Sequence, residues 1–140
     1  MSGQPYLEDI ELGQELPPLV KRPTTRQLVM YAGASGDFYE IHYDKDFALA
    51  QSLPGVILHG ALKSAFLGQL VTDWMGPQGT LQELSVRYRE MDVPGDTLTC
   101  GGKVTATDDG AGTVTCEIWI ENGAGTKTTT GRAVVALPSR

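Results

Sequence analysis

The run ALKSAFLGQLVTDWM, Ala61 to Met75, constrains the fold more than any other stretch of the chain. Wound as a helix it offers Ala61, Leu62, Ala65, Phe66, Leu70, Val71 and Trp74 for packing, and only Lys63, Gln69 and Asp73 are strongly polar. A helix that is apolar nearly all round is buried on most sides. The material that buries it follows directly, because from Thr80 onward the texture changes to alternation. Leu84, Val86 and Tyr88 point one way and Ser85, Arg87 and Arg89 the other, the period-two mark of a strand. Val93-Pro94-Gly95-Asp96 reads as a turn. Thr97–Ala106 and Thr113–Glu121 read as two more strands parted by Asp108-Asp109-Gly110, and Lys127–Leu137 as a last one after Asn122-Gly123 and Gly125. Helices first and consecutive strands after them predict an α+β layer architecture, an antiparallel sheet packed on one long helix. One helix leaves the sheet's other face or an edge uncovered, and dimerisation is the simplest cover.

A chain of 140 residues is sized for a single domain, here 1–140, and buries enough surface to fold without a disulfide or a metal. The formal charge of −6 opposes non-specific nucleic-acid binding, since a polyanion is repelled by most of such a surface. Cys100 and Cys116 fall in strand-like segments without C-x-x-C spacing and read as buried thiols of a reducing compartment. MSGQPYLEDIELG carries neither a basic segment nor an apolar run, and no stretch approaches the ~20 apolar residues that span a bilayer. The expectation is a soluble, cytoplasmic protein with no membrane partner.

The first 23 residues, with Pro5, Pro17, Pro18 and Pro23, suggest an irregular arm holding one short extended piece around Leu19–Lys21. Thr24-Thr25-Arg26-Gln27 fits a capping box at a helix start, and Leu28, Tyr31, Ala32 and Ser35 then follow at helical spacing. That helix should stop near Gly36 and leave Asp37 to His42 as a loop. Asp44 is placed to cap a short second helix, Lys45 to Ser52.

The loop SGDFYEIHYD holds the chemistry. A carboxylate and an imidazole, Asp37 and His42, are the pair suited to moving protons near neutral pH. A helix-capping aspartate and a solvated histidine would give the same D-x4-H spacing, so context decides. The chain has two histidines, and the second, His59, stands with Gly60 where the buried helix should begin. Amides at a helix N-terminus lack internal acceptors, and a glycine there lets a carbonyl oxygen approach them, the geometry of an oxyanion hole. The alternative is that Gly60 only opens the helix and His59 packs against a strand.

YAGASGDFYEIHYD followed by PGVILHG closely resembles the signature of MaoC-like hydratases and dehydratases, hotdog-fold enzymes that act on acyl thioesters. The likeness extends to LEDIELGQEL, to TDWMG at the end of the long helix and to VRYREMDVPGDTL. It implies a hotdog fold, a sheet wrapped around the central helix, and pairing of two hotdog units. It also implies that Asp37 and His42 activate water and shuttle the α-carbon proton, while the Gly60 amide holds the thioester oxygen. The substrate it implies is a trans-2-enoyl thioester of coenzyme A or acyl carrier protein, hydrated to an (R)-3-hydroxyacyl thioester or formed from it. No further cofactor is expected.

Tyr39-Glu40 stands where the family usually has Asn-Pro, which adds bulk at the mouth of the expected site and puts substrate preference in question. That departure keeps open a second reading, a weakly active or non-catalytic hotdog subunit that pairs with a related chain. Tyr39, His59 and Ser64 are the expected substrate-binding residues, with Ser64 either bonded to a loop carboxylate or simply small against the sheet. Glu40 reads as a solvated loop carboxylate and Lys63 as a lysine whose head reaches the surface. Arg87 and Arg89 are either solvated or placed for the phosphates of coenzyme A. G-x-S-x-G, a phosphate-binding glycine loop and H-E-x-x-H are absent from the sequence, and the spacing of histidines and cysteines predicts no metal site.

Overall fold

A computed structural model describes residues 3–140. Strand β1 (Leu19–Lys21) precedes helices α1 (Thr25–Ser35), α2 (Lys45–Ala50) and α3 (Gly60–Met75), and strands β2 (Thr80–Tyr88), β3 (Leu98–Asp108), β4 (Thr113–Glu121) and β5 (Lys127–Ala136) follow. The five strands form one antiparallel sheet in the order β1-β3-β4-β5-β2. Helix α3 packs against β2, β3, β4 and β5, so the sheet curls around it as a single α+β hotdog. No helix among the described residues is long and apolar enough to cross a membrane.

The local signals act as their chemistry requires. Thr24 Oγ1 accepts from the Gln27 amide at 3.1 Å and opens α1, and Gly36, at φ 77°, closes it in the left-handed conformation a glycine adopts without cost. Asp44 caps α2, accepting from the Phe47 amide at 3.1 Å. That helix ends at Ala50, two residues before the expected limit, because Ser52 turns to φ 65° ahead of Pro54. Strand β3 runs on to Asp108, past the expected Ala106, by pairing with Thr113 across the turn. The expected loop from Asp37 ends in a single 3-10 turn, Glu40–His42.

The buried face of α3 carries Leu62, Phe66, Leu67, Leu70, Val71 and Trp74 against Leu98, Val104, Val114, Ile118, Ile120 and Val135 of the sheet. Cys100 and Cys116 are buried, unpaired thiols in the same core, and burial pushes both up to about 12. Helix α3 is less enclosed than its sequence suggests. Ala61, Ala65, Gln69, Thr72 and Asp73 form an exposed stripe, while Lys63, expected at the surface, lies on the buried side. At the edge of the sheet, β2 pairs with β5 on one side only, leaving its other edge without a neighbour among the described residues.

Leu67 is fully buried at the centre of this packing. Truncation to alanine should lower the unfolding free energy by about 2–5 kcal/mol, read as a reduced denaturant midpoint at unchanged slope.

Candidate active site

Asp37 and His42 are held by different means. The Asp37 amide donates to Ser35 Oγ at 3.2 Å, and Asp37 Oδ1 accepts from the Tyr39 amide at 3.3 Å. This Asx turn spends one carboxylate oxygen on the backbone and leaves the other for chemistry. The carboxylate is half exposed, whereas the His42 ring is buried. His42 Nδ1 lies 2.8 Å from the Ile57 carbonyl oxygen, which can only accept, so the proton is assigned to Nδ1. Nε2 then faces Asp37 Oδ2 across 3.8 Å, too far for a direct hydrogen bond. One oxygen about 2.8 Å from each atom would close that triangle.

His59 is fully buried, and its Nε2 is 3.2 Å from the Asp37 carbonyl oxygen. The same acceptor argument gives Nε2 the proton and makes Nδ1, buried without a partner among the described residues, a bare lone pair. The His59 ring stacks on His42, centroids 3.8 Å apart and planes at 20°, and meets the edge of Tyr31 at 4.8 Å. Burial first, and the neighbouring His42 second, push the His59 pKa below its ordinary 6.5. His59 therefore stands behind the reacting pair as a neutral strut, tying the backbone of Asp37 to the residue before Gly60. Expected among the substrate-binding residues, it is fully buried, with its ring stacked behind His42.

Gly60 is the first residue of α3, with His59 in the N-cap position, so its N–H has no acceptor within the helix. It lines a cavity of about 650 Å³ together with His42, Ile57, Leu58 and Lys63, all four buried. Pro54, Tyr88, Arg89, Glu90 and Met91, all exposed, line the same cavity at its open end. A Cβ added at Gly60 would fall 2.9 Å from the Tyr88 ring, so glycine is needed for this close approach.

The other expected residues divide. Ser64 is bonded to the Tyr88 hydroxyl at 2.6 Å rather than to a loop carboxylate. Tyr39 is half exposed and flanks His42 edge-on at 6.3 Å, beside Phe47 at 6.0 Å, outside the lining of the cavity. Arg87 and Arg89 are exposed; Arg89 reaches the cavity mouth, where its Nε donates to Thr130 Oγ1 at 2.9 Å. Lys63 corrects the surface expectation outright, because its ammonium is paired at 3.0 Å with the buried Asp92. Asp92 escaped the sequence reading; an unmatched lysine inside an otherwise buried helix was the signal that a carboxylate must lie opposite.

Asp37, His42 and His59 each bring one ligand atom to within 4.8 Å of the others, close enough to consider a metal. The two imidazoles are nearly parallel, however, and in-plane lone pairs of stacked rings do not converge on one ion at the ~2.0–2.1 Å a zinc–nitrogen bond requires. Their Nδ1 and Nε2 hydrogens are also committed to the Ile57 and Asp37 carbonyls. The arrangement suits proton transfer at a carbonyl compound.

A family model described as MaoC like domain matches residues 10–123. The chain is 32% identical over 103 residues to a 3-oxo-4,17-pregnadiene-20-carboxyl-CoA hydratase beta subunit of Mycobacterium tuberculosis, covering 74% of this chain and 80% of that one. It is 29% identical over 140 residues to an (R)-specific enoyl-CoA hydratase of Rhodospirillum rubrum, covering 96% and 93%. Among solved structures, the (R)-hydratase from A. caviae involved in PHA biosynthesis superposes with a TM-score of 0.85 at 30% identity, covering 94% of this chain and 99% of that one.

The depressed His59 pKa sets a pH dependence of stability. The unfolded chain binds the His59 proton below about pH 6.5 while the folded chain resists it, so stability is full above 6.5 and falls as pH drops below it. His59→Gln cannot charge and should lose less melting temperature than the wild type between neutral pH and pH ~5; parallel slopes for the two proteins would refute the assignment.

Proposed function

The chain belongs to the MaoC-like dehydratase family, and on that premise we propose that it interconverts trans-2-enoyl and (R)-3-hydroxyacyl thioesters at the Asp37/His42 pair. It is a carbon–oxygen lyase of the hydratase/dehydratase class. The observation that carries the finer reading is the 3.8 Å gap between His42 Nε2 and Asp37 Oδ2, which admits one water oxygen between a base and an acid.

Hydration then balances within the pair. Asp37 Oδ2 takes a proton from the bridging water as its oxygen bonds to C3. The alkene electrons move through C2 to the thioester oxygen, where the Gly60 N–H, reinforced by the positive end of the α3 dipole, stabilises the developing charge. This cycle starts with a second proton on His42, at Nε2; that proton passes to C2, and transfer from Asp37 to His42 restores the starting form. Dehydration is the same sequence reversed. The Ile57 carbonyl fixes the imidazole so that only Nε2 serves the substrate, and the neutral His59 ring beneath it is compatible with a cationic His42. The thioester supplies the electron sink, so the cycle requires no group beyond the acyl carrier; the acidic chain favours coenzyme A over an acidic carrier protein.

A heteromeric arrangement has its own support. The nine-residue β2 leaves a long unpaired edge, with Tyr88 and Met91 exposed at the cavity mouth beside it. A relative of similar size is named as a beta subunit. Pairing with a second hotdog chain along β2, either a copy or a relative, covers that edge and narrows the acyl cavity.

Loss of enoyl absorbance with a short trans-2-enoyl-CoA tests the reaction directly. Asp37→Asn and His42→Ala should each cut kcat by about 10²–10⁴-fold. Turnover that survives both substitutions removes this loop from the mechanism. Activity that arises only on adding a co-expressed partner chain would favour the heteromeric form.

A further inference from the structure

A charged group lies inside the cavity wall that the proposed reaction does not use. Lys63, in the first turn of α3, is 3% exposed, and Asp92, on the segment between β2 and β3, is 1% exposed. The Lys63 ammonium donates to Asp92 Oδ2 at 3.0 Å and to the Glu90 carbonyl oxygen at 3.0 Å. Thr128 Oγ1 donates to the same Asp92 oxygen at 2.6 Å, and the Tyr88 ring centre lies 5.5 Å from Nζ. An ammonium carries three hydrogens, and two are engaged here. Lys63 also lines the cavity that holds His42 and Gly60.

Joining a helix to a loop does not require this arrangement. Burying an ion pair costs several kcal/mol of desolvation per ion, and apolar side chains of like volume often do the same job with no loss of stability. A desolvated cation facing a ligand cavity is instead a strong hydrogen-bond donor, because no water competes for it. Asp92 cancels its charge, so the pair is matched to a neutral acceptor; a carboxylate brought to that point would add an uncompensated charge. Position identifies which part of a thioester comes near. The exposed Tyr88, Arg89 and Met91 give the carrier arm its way out; Lys63, 3% exposed and one turn from Gly60, lies inward of them beside the buried Ile57 and Leu58, although its ammonium reaches back to the Glu90 carbonyl and the Tyr88 ring.

We propose that Lys63 forms an acyl-recognition subsite, whose third N–H donates to a ketone or hydroxyl oxygen carried on the acyl group beyond the reacting carbons. The preferred substrates are then oxygenated enoyl thioesters rather than plain hydrocarbon ones. Asp92 and Thr128 are positioning residues that aim the ammonium. The proposal rests on the thioester-hydratase reading, and it deepens that reading by naming a substrate class.

The test is a series of trans-2-enoyl-CoAs of equal length, one plain and the others with a keto group stepped outward along the chain. Wild-type kcat/KM should rise about tenfold over the plain compound at one position of the ketone, the size of one hydrogen bond to a charged donor. Lys63→Met/Asp92→Asn, which removes both charges together, should bring that ratio close to one. A wild-type ratio near one at every position overturns the subsite while leaving hydration of the plain compound as evidence for the reaction, and this arm decides even where the paired variant does not fold. A folded variant that keeps the preference also overturns it. So does a variant that loses equally on plain and oxygenated substrates, which would assign Lys63 to the carrier arm. Failure to hydrate any member would remove the reaction itself and the subsite with it.

Discussion

The beginning of α3 is the constraint on which the rest of the site depends. A helix cannot satisfy its own first amides, and a buried start must either cap them or offer them to a ligand. Here His59 occupies the N-cap position without a side-chain cap, and its ring is turned instead to the Asp37 carbonyl and the face of His42. The same few residues thus leave the Gly60 amide without an acceptor in the helix, hold the loop that carries Asp37, and back the His42 imidazole. Ile57, two residues earlier, fixes the other side of that imidazole through its carbonyl. Asp37, His42 and the Gly60 amide are therefore registered to one segment, 57–60, rather than to three independent loops.

Around that segment the fold puts polar groups where a core would normally exclude them. Lys63, Asp92 and Thr128 are buried together, and Leu58 donates its amide to the Asp92 carbonyl at 2.9 Å. The turn after β2 is consequently stitched to the helix, to the irregular segment leading into it and to β5. This explains how a cavity lined partly by a loop keeps its shape. A half-satisfied polar cluster is costly in low dielectric, and Asp92 Oδ1, buried without a partner among the described residues, marks the place where that cost is concentrated.

Much of the architecture was legible because its signals are local. The capping threonine, the glycine at φ 77° and the change from helical to alternating pattern near Thr80 each work within a few residues, and the elements they delimit are the observed ones to within two residues at nearly every boundary. Asp37, His42 and Gly60 were legible from residue type and from a family resemblance carried by a short motif. The burial of Lys63 and the partners of His59 and Ser64 were not legible, because the groups these residues meet lie far along the chain. Ser64 meets Tyr88 and Lys63 meets Asp92, separations of 24 and 29 residues that no periodicity encodes.

Sequence by itself determined the order of the elements, the one buried helix, the loop that carries Asp37 and His42, and the glycine at the helix start, since each is set by backbone preference or side-chain chemistry acting over a turn or two. Only the tertiary structure decided which atoms face one another: the 3.8 Å opening between Asp37 and His42, the stacked histidine behind it, and the lysine turned inward to a carboxylate. The curl of the sheet around α3 brings β2, the turn after it and the loop before the helix to a single point, and distances there are products of packing rather than of any local run of residues.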